Sequence, residues 1–252
     1  MLDDDDERLS PTHLISTPAR IALRDSIMDA LLNAATSKQF EQPRLFLMGG
    51  GSASGKGTTV KRLKLDGQIP DNDIVEIDPD EIKISLPPYQ ELVDLGDPRA
   101  ASVVHIESRD LAVDTFAVAC IEQKDILLDR TLASVADAQK IIETARNHGY
   151  RIILIGVTVD IDIAIDRARE RGRETGRYVP EEAIRATHKG FSRTFPDIVE
   201  LVDEAHLFDT GQGDDHIIAQ KGYGAEFVIL DEEAYNSFLS KRDMDDNPPQ
   251  QD

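Results

Sequence analysis

The sequence predicts an α/β fold in three layers, with a mostly parallel sheet covered by helices on both faces. Short β-branched runs alternate with longer segments of helical periodicity along most of the chain, and this alternation is typical of such a fold. The chain has 252 residues, of which 40% are hydrophobic and 30% are charged, so it can bury a sizeable core. No internal repeat is visible, and we expect one such domain over residues 13–242.

The predicted elements follow one another in a regular order. A helix is expected over residues 18–36, where apolar side chains recur at near-helical spacing, and RLFLM at 44–48 is the first strand. The segment from His216 onward predicts a hairpin across Lys221 to Gly224 and then a final helix. Between these ends, strands are predicted at 74–77, 125–128, 151–157 and 206–208, and helices near 98–121, 134–147, 161–173 and 180–190.

The charge of the chain restricts its partners. Lys and Arg number 28 against 48 Asp and Glu, which gives a formal net charge of −20, and such a surface repels the phosphates of nucleic acids and anionic lipids. We therefore expect no nucleic-acid partner and no membrane partner, and no stretch is long and apolar enough for a signal peptide or a membrane span. Part of the charge lies in residues 1–12 and 243–252, which we predict to be disordered tails.

The cysteine and histidine content indicates neither disulfides nor zinc. The single cysteine, Cys120, lies in the apolar run TFAVACI, and a small buried hydrophobic side chain is favoured over a nucleophile. An intrachain disulfide is excluded, and the expected compartment is the cytoplasm. The histidines show no metal-ligand spacing, so we expect solvated or partly packed imidazoles.

A glycine-rich segment, GGGSASGKGTT, joins the first strand to a predicted helix, and it fits the pattern G-x-x-x-x-G-K. In that pattern, backbone N–H groups and the helix N-terminus hold phosphate oxygens, and the lysine reaches the β and γ phosphates. The alternative, a flexible surface linker, does not explain the preceding strand. The residues predicted to bind ATP or GTP are Gly50, Gly51, Ser52, Ala53, Ser54, Gly55, Lys56, Gly57, Thr58 and Thr59.

The expected Mg²⁺ site departs from the common pattern. Ser or Thr is expected directly after the lysine to hold the metal, but Gly57 stands there and Thr58 and Thr59 follow, an ending familiar from adenylate-kinase-like enzymes. We predict Thr58 as the metal-contacting hydroxyl. Asp129, at the end of the buried strand in DILLDRT, is the second candidate, as a Walker-B-type carboxylate; the alternative is a cap for the next helix.

Two more carboxylates, Asp78 and Asp80, end the second predicted strand, near the crevice where ligands bind in open α/β sheets. By themselves they predict a turn and a helix cap, since D-P-D favours both. The segment that follows changes this interpretation, because it resembles the zeta toxin family of bacterial toxin–antitoxin systems. The resemblance covers roughly residues 20 to 210 and continues through ILLDRT. It is carried by Asp80, Lys83, Pro87, Tyr89, Glu91 and Leu92.

The resemblance implies a P-loop kinase fold and a kinase that phosphorylates UDP-N-acetylglucosamine on its sugar 3′-hydroxyl. Asp80 matches the family's catalytic base, which accepts the proton of the acceptor hydroxyl. For Asp78, a catalytic role and a helix-capping role are both compatible with the sequence. The resemblance also implies substrate contacts at Lys83, Glu107 and Thr131. Its further implications are ATP or GTP with Mg²⁺ as cofactors and a helical antitoxin that blocks the nucleotide cleft.

The segment IDIAIDRARERGRETGRYVP concentrates arginine in an otherwise acidic protein. Arginine forks match phosphate oxygens bidentately and stabilise charge during phosphoryl transfer. The resemblance implies that two arginines of this region do so. Arg177, in G-R-x-V-P, is one of them, and the other is Arg171 or, with a shifted gap, Arg169. For Arg167 and Arg173 we expect a solvated helix face paired with nearby acids.

Two positions depart from the acceptor site of the resembled family. In ungapped register, Val113 stands where the family's sugar-site glutamate is expected, and Ala133 stands where a substrate-contacting arginine follows the strand. Asp110 and Asp114 are close enough along the predicted helix to supply an acid from a neighbouring turn. The resemblance therefore predicts a catalytic phosphate-transfer site with a rebuilt acceptor pocket.

Taken with these departures, the sequence predicts a kinase of a nucleotide-linked sugar such as UDP-N-acetylglucosamine, with a toxin role as one option. One alternative is a kinase of a different small acceptor, such as another sugar nucleotide, a dinucleotide or an antibiotic. The other is a nucleotide-binding module that has lost catalysis. Lys56, Asp80 and Arg177 are all present, which argues against that loss.

Overall fold

The computed structural model describes residues 17–38, 41–97, 99–175, 178–211 and 216–245. The predicted tail at 1–12 lies outside the described residues, and so does the second predicted tail, 243–252, from residue 246 onward. The first residue of that second tail, Asp243, ends a 3-10 turn (Lys241–Asp243). The helices are α1 (Pro18–Leu32), α2 (Lys56–Leu65), α3 (Pro79–Ile84), α4 (Pro87–Asp94), α5 (Ala100–Val103), α6 (His105–Ile121), α7 (Val135–Asn147), α8 (Ile161–Thr175), α9 (Glu181–Leu201) and α10 (Glu232–Ser240).

The described strands form a 7-stranded sheet in the order β2-β3-β1-β4-β5-β6-β7. The strands are β1 (Arg44–Gly49), β2 (Val75–Ile77), β3 (Ile126–Asp129), β4 (Arg151–Thr158), β5 (Glu204–Asp209), β6 (His216–Lys221) and β7 (Phe227–Ile229). The first five are paired in parallel, and β6 and β7 add an antiparallel edge. The predicted mostly parallel sheet flanked by helices is confirmed.

The two faces of the sheet carry separate hydrophobic cores. Leu45 and Leu47 of β1 belong to a large cluster that includes residues of α6, α7, α9 and α10. Phe46 and Met48, which alternate with them, belong to a second cluster with Leu63 of α2. Because successive side chains of a strand point to opposite faces, burial on both sides explains why these strands read as continuous apolar runs.

Two helix boundaries differ from the expectation. The single helix predicted near 98–121 is divided into α5 and α6, and a further helix, α4, precedes them and ends before Gly96, which has a left-handed φ of 68°. The helix predicted at 180–190 continues to Leu201 through Pro196. Proline signals a helix end from sequence, but burial of the face formed by Phe191, Phe195 and Ile198 carries the helix past it.

The end of the chain agrees with the predicted hairpin and helix. β6 ends at Lys221, β7 begins at Phe227, and Gly224 has a left-handed φ of 69° in the turn between them. Cys120 is buried, as predicted, and burial raises the pKa of its thiol to about 12. Within the described ranges, no helix combines the length and the apolar character that a bilayer crossing needs.

Candidate active site

The phosphate loop lies between the C-terminal end of β1 and the first turn of α2. Its backbone is left-handed at Ala53 (φ 60°) and at Gly55 (φ 99°), which directly precedes the helix. Gly50 allows a close approach, because a Cβ there would overlap the carbonyl oxygen of Val157 on β4. The chain therefore curls back over the end of the sheet, as an anion-binding loop does.

The inner side of this loop presents backbone donors and one cation. The N–H groups of Gly55, Lys56 and Gly57 donate to no protein acceptor among the residues that the structure describes, as is usual in the first turn of a helix. Lys56 Nζ donates to Gly50 O at 3.1 Å and lies 3.6 Å from Asp129 Oδ1. Such an arrangement can hold a phosphate group by backbone donors and a positive charge.

Asp129, at the C-terminal end of β3, is the centre of the negative charge in the site. Burial raises the pKa of its carboxyl to about 6; the positive charge of Lys56 opposes this, and the negative charges of Asp78 and Asp80 add to it. The negative charges of Asp78 and Asp80 thus act on Asp129, which itself lies 3.6 Å from Lys56 of the phosphate loop. They interact because β2, β3 and β1 are neighbours in the sheet, and the carboxyl ends of these strands share one edge.

Asp78 and Asp80 have different structural roles. Asp78 is the N-cap of α3, and its Oδ1 accepts a hydrogen bond from Asp80 N at 2.8 Å. The side chain of Asp80 is 49% exposed and forms an ion pair with Lys83, whose Nζ lies 2.8 Å from Asp80 Oδ1. The geometry thus gives the capping role to Asp78 and leaves the Asp80 carboxylate at the open side of the site.

The other predicted acceptor residues lie in different surroundings. Glu107 is buried on α6, and its two oxygens accept hydrogen bonds from Arg20 Nε and Nη2 at 2.8 and 2.7 Å. A substrate contact at Glu107 remains a prediction, but its observed partner is structural. Thr131 is exposed next to the loop, where its carbonyl oxygen accepts from Gly50 N at 3.3 Å.

Helix α9 braces the phosphate loop through two side chains that the sequence interpretation did not select. Thr187 Oγ1 accepts from Ser52 N at 3.0 Å, and His188 Nε2 lies 3.0 Å from Ser52 O. Burial lowers the pKa of His188 to about 4, so the imidazole is neutral at pH 7 and its Nε2–H donates to the carbonyl. The expectation of a solvated or partly packed imidazole is wrong for His188, which is buried against Gly51.

A second brace comes from Arg167, which was expected on a solvated helix face. Its Nη1 donates to Thr210 Oγ1 at 2.9 Å and its Nη2 to Thr210 O at 2.8 Å. Thr210 Oγ1 in turn donates to Ser54 O at 2.8 Å. The expectation is corrected by this geometry: Arg167 points from α8 to the end of β5 and fixes the loop through one intermediary.

The remaining arginines of α8 divide by exposure. Arg169 is 60% exposed and pairs with Asp166 and Glu181 at 3.5 and 3.4 Å, whereas Arg171 is half-buried and Arg173 is exposed. Of the two candidates for one phosphate contact, Arg171 is therefore the less solvated. Arg177, the other predicted contact, lies outside the described residues.

The sequence profile of the zeta toxin family matches residues 28–226. The chain belongs to the zeta toxin family. A curated relative of this zeta-family chain is a calmodulin calcium-dependent NAD kinase from Arabidopsis thaliana, 27% identical over 236 residues, which cover 74% of this chain and 44% of that protein. The chain thus spans less than half the length of this curated relative.

Several solved structures are similar to this zeta-family chain. AvrRxo1-ORF1:-ORF2 with ATP superposes with a TM-score of 0.71 at 18% identity, covering 93% of this chain and 76% of that one. The PezAT chromosomal toxin–antitoxin system of Streptococcus pneumoniae gives a TM-score of 0.64 at 16% identity, covering 90% and 96%. At these identities the likeness shows the fold that the zeta family shares.

The residues of the site fit a Mg²⁺ ion that is shared with nucleotide phosphates. Mg²⁺ is usually held by one or two carboxylates together with phosphate oxygens and water, and no group of three His, Cys, Asp or Glu side chains among the described residues could hold a metal alone. Asp129 supplies a partly buried carboxylate beside the loop, 3.6 Å from Lys56 Nζ. The side chain of Thr58 is exposed, whereas the buried Thr59 hydroxyl has no hydrogen-bond partner within the described part of the chain.

Proposed function

We propose that this protein is a phosphotransferase that moves the γ-phosphate of ATP or GTP onto a hydroxyl of a nucleotide-linked acceptor. One observation carries the proposal: Lys56 of the phosphate loop lies 3.6 Å from Asp129, whose pKa also responds to Asp78 and Asp80. A phosphate donor site and a candidate base therefore share one edge of the sheet. A nucleotide-binding module without catalysis would need the loop but not the second carboxylate.

Each side chain has a role in this reaction. The loop N–H groups and Lys56 orient the β and γ phosphates, and Asp80 aligns the acceptor hydroxyl and accepts its proton as the P–O bond forms. Lys83 holds the Asp80 carboxylate in position at 2.8 Å. Mg²⁺, when bound with the nucleotide, neutralises developing phosphate charge. Arg171 and Arg177 are proposed to stabilise the transferred phosphoryl group.

For the acceptor, we favour a dinucleotide such as NAD over UDP-N-acetylglucosamine. The curated relative is named as an NAD kinase, and two sugar-site positions of the family have changed. Val113 is 54% exposed, and its side chain cannot form the hydrogen bonds of a glutamate. Ala133 packs so closely against Gly190 that a Cβ on Gly190 would contact it. UDP-N-acetylglucosamine stays the second candidate, because the chain belongs to the zeta toxin family.

An acceptor screen tests this function. The purified protein is incubated with Mg²⁺ and γ-labelled ATP or GTP, together with NAD, UDP-N-acetylglucosamine, other sugar nucleotides, nucleosides and aminoglycosides. We expect label on NAD, less or none on UDP-N-acetylglucosamine, and none in the Lys56→Ala control, which removes the charge on the β and γ oxygens. Absence of label on every acceptor would contradict the proposed reaction.

A toxin role with a protein partner is a second candidate. It is favoured by two similar solved structures. One is described as a toxin–antitoxin system, and the other is named as the pair AvrRxo1-ORF1:-ORF2. We propose that a helical partner covers the nucleotide cleft. Co-expression with the product of an adjacent gene should suppress growth arrest and yield a co-purifying complex that no longer transfers phosphate; arrest that the partner leaves unchanged would contradict the role.

A further inference from the structure

Strand β7 lies at one edge of the sheet and presents apolar side chains to solvent. It is the last strand in the sheet order, and β6 is its neighbour. Val228, Ile229 and the following Leu230 are 50%, 42% and 52% exposed. An edge strand that is both exposed and apolar can pair with a strand of another chain. The edge formed by β7 is therefore a candidate interaction surface.

The opposite edge of the sheet is protected against such pairing. There, β2 contacts helices α1 and α6, and its residues Val75 and Ile77 are buried. The side chain between them is Glu76, which is exposed and forms an ion pair with Lys64. Covering helices and an exposed charge are common devices that prevent edge pairing. The two edges of one sheet thus differ, and β7 carries no charged residue.

The backbone of β7 has hydrogen-bonding groups that face away from β6. Leu230 N, directly after the strand, donates to Ile218 O of β6 at 2.9 Å. Alternate residues of an antiparallel strand direct their N–H and C=O groups to the same neighbour. The groups of Phe227 and Ile229 are therefore directed to the open edge, where an added strand would find them.

The strand is held in place from one face of the sheet. The centroid of the Phe227 ring lies 6.2 Å from that of Phe195 and 5.9 Å from that of Tyr235. Because successive side chains point to opposite faces, Val228 points away from these rings. The register pairs Val228 with Gln220 of β6. The edge is thus ordered before a partner arrives, which reduces the entropy lost on pairing.

Acidic side chains lie at both ends of β7. Glu226 directly precedes the strand, Glu232 and Glu233 begin α10 shortly after it, and all three are exposed. Opposite charges across an interface attract each other and like charges repel. These glutamates therefore favour a partner with basic side chains, and the formal net charge of −20 of the whole chain acts in the same direction.

The same charges disfavour two other occupants of this edge. If two copies paired in antiparallel fashion, Glu226 of each would lie near the acidic start of α10 in the other, which is unfavourable. Residues 1–16 of the chain hold five acidic residues and one arginine, and residues 246–252 hold two acidic residues, no basic residue and two prolines. Proline cannot donate to a strand ladder. A separate chain with a basic segment fits the edge best.

We propose that β7 pairs with an extended segment of a partner protein in which alternating apolar residues are flanked by Lys or Arg. The backbone of this segment pairs with Phe227 and Ile229, and its basic ends meet Glu226 and the acidic start of α10. This interaction goes beyond the proposed function. The phosphate loop follows β1, whereas β7 is the outermost strand, so the partner leaves the nucleotide cleft open.

A defined peptide tests this surface on the full chain. The probe is a short labelled peptide of alternating Val and Thr with lysines at both ends, and the matched peptide has glutamates in place of the lysines. Fluorescence anisotropy measures binding, and hydrogen exchange of the Phe227 and Ile229 amides locates it. The variants are Ile229→Pro, which removes an outward N–H without removing a bond to β6, and Glu226→Lys. The control is Glu143→Lys, an equal charge change at an exposed position of α7.

We expect the lysine peptide to bind the parent and Glu143→Lys, to slow amide exchange at Phe227 and Ile229, and to leave the Kd for ATP unchanged. The glutamate peptide should not bind. Glu226→Lys should weaken binding by about three- to tenfold, because an exposed ion pair becomes a repulsion, and added salt should weaken binding in the parent. Ile229→Pro should abolish binding, and Glu226→Lys keeps the test valid if the proline lowers stability.

Several results would overturn the proposal. These are no binding of the lysine peptide, equal binding of the two peptides, or equal weakening by Glu226→Lys and Glu143→Lys. Slow exchange at Phe227 and Ile229 in the monomer before peptide is added would place a segment of this chain on the edge. A concentration-dependent dimer that Ile229→Pro abolishes, measured by sedimentation, would make a second copy the occupant.

Discussion

His188 Nε2 lies 3.0 Å from the carbonyl oxygen of Ser52, so a buried imidazole on α9 holds the middle of the phosphate loop. Thr187, its neighbour, accepts from the N–H of the same loop residue at 3.0 Å. Both polar groups of the Ser52 backbone are thereby satisfied by one helix. Because these contacts already hold the loop in its shape, less conformational entropy is lost when nucleotide binds.

His188 should make the stability of the protein depend on pH. Burial lowers its pKa from the ordinary value of 6.5 to about 4 in the folded state, so between these values the unfolded chain binds more protons and acid favours unfolding. The free energy of unfolding should fall as pH drops from 6.5 toward 4. This fall should be shallower in His188→Gln. Urea melts across that window measure both slopes, and equal slopes would contradict the buried neutral imidazole.

Gly51 should be intolerant of a side chain only because His188 is there. A Cβ on Gly51 would overlap the His188 ring, so Gly51→Ala should destabilise the fold by about 1–3 kcal/mol, as overpacking does. The double variant Gly51→Ala/His188→Ala should recover part of that loss. A double-mutant cycle by thermal and urea melts measures the coupling, and strictly additive effects would show that the two residues do not compete for space.

Arg167 should matter more than Arg173. Arg167→Ala removes both hydrogen bonds to Thr210 and releases the contact of Thr210 with Ser54, so ATP affinity and melting temperature should both fall. Arg173→Ala, on an exposed position of the same helix, should behave like the parent. Calorimetry with ATP and thermal melts compare the two variants. Equal ATP affinity and equal melting temperature in both would contradict the role of Arg167 in holding the loop.

Glu107 should act in stability rather than in acceptor binding. Its carboxylate and the Arg20 guanidinium are 5% and 9% exposed, and breaking a buried pair by removing one charge costs about 3–5 kcal/mol. Glu107→Gln should therefore lower the urea midpoint strongly and leave the acceptor KM of the remaining folded enzyme near that of the parent. A raised KM with unchanged stability would favour the substrate contact that the family resemblance implies.

Local sequence was sufficient for the fold and for the prediction that Lys56 and Asp129 lie close together. The order of strands and helices follows from periodicity, and Lys56 and Asp129 were selected because they begin a helix or end a strand at a chemically informative spacing. Asp80 was selected through the family resemblance of the segment that follows it. In a parallel sheet such positions converge on one edge. The structure places Asp129 next to Lys56 for that reason.

Contacts between distant segments could not be predicted. His188 and Ser52 are 136 residues apart in the sequence, and nothing in the segment RATHKGF distinguishes a loop brace from an ordinary helix residue. The arginines of α8 look alike in sequence, yet Arg167 turns inward while Arg169 pairs at the surface. The helix predicted to end near 190 continues to Leu201, because burial of the α9 face depends on the whole core and is not visible in the local sequence.

Single-turnover transfer by Asp80→Asn tests the central claim most directly. The variant, the parent and Asp78→Asn are mixed with limiting labelled ATP, Mg²⁺ and the acceptor that the screen identifies, and ATP affinity is measured separately by calorimetry. Asn keeps the shape and loses the proton-accepting charge, so transfer should fall by roughly two to four powers of ten with ATP affinity and melting temperature near those of the parent. Asp78→Asn should retain most activity, because asparagine caps helices well. Transfer by Asp80→Asn within a few-fold of the parent would contradict the account.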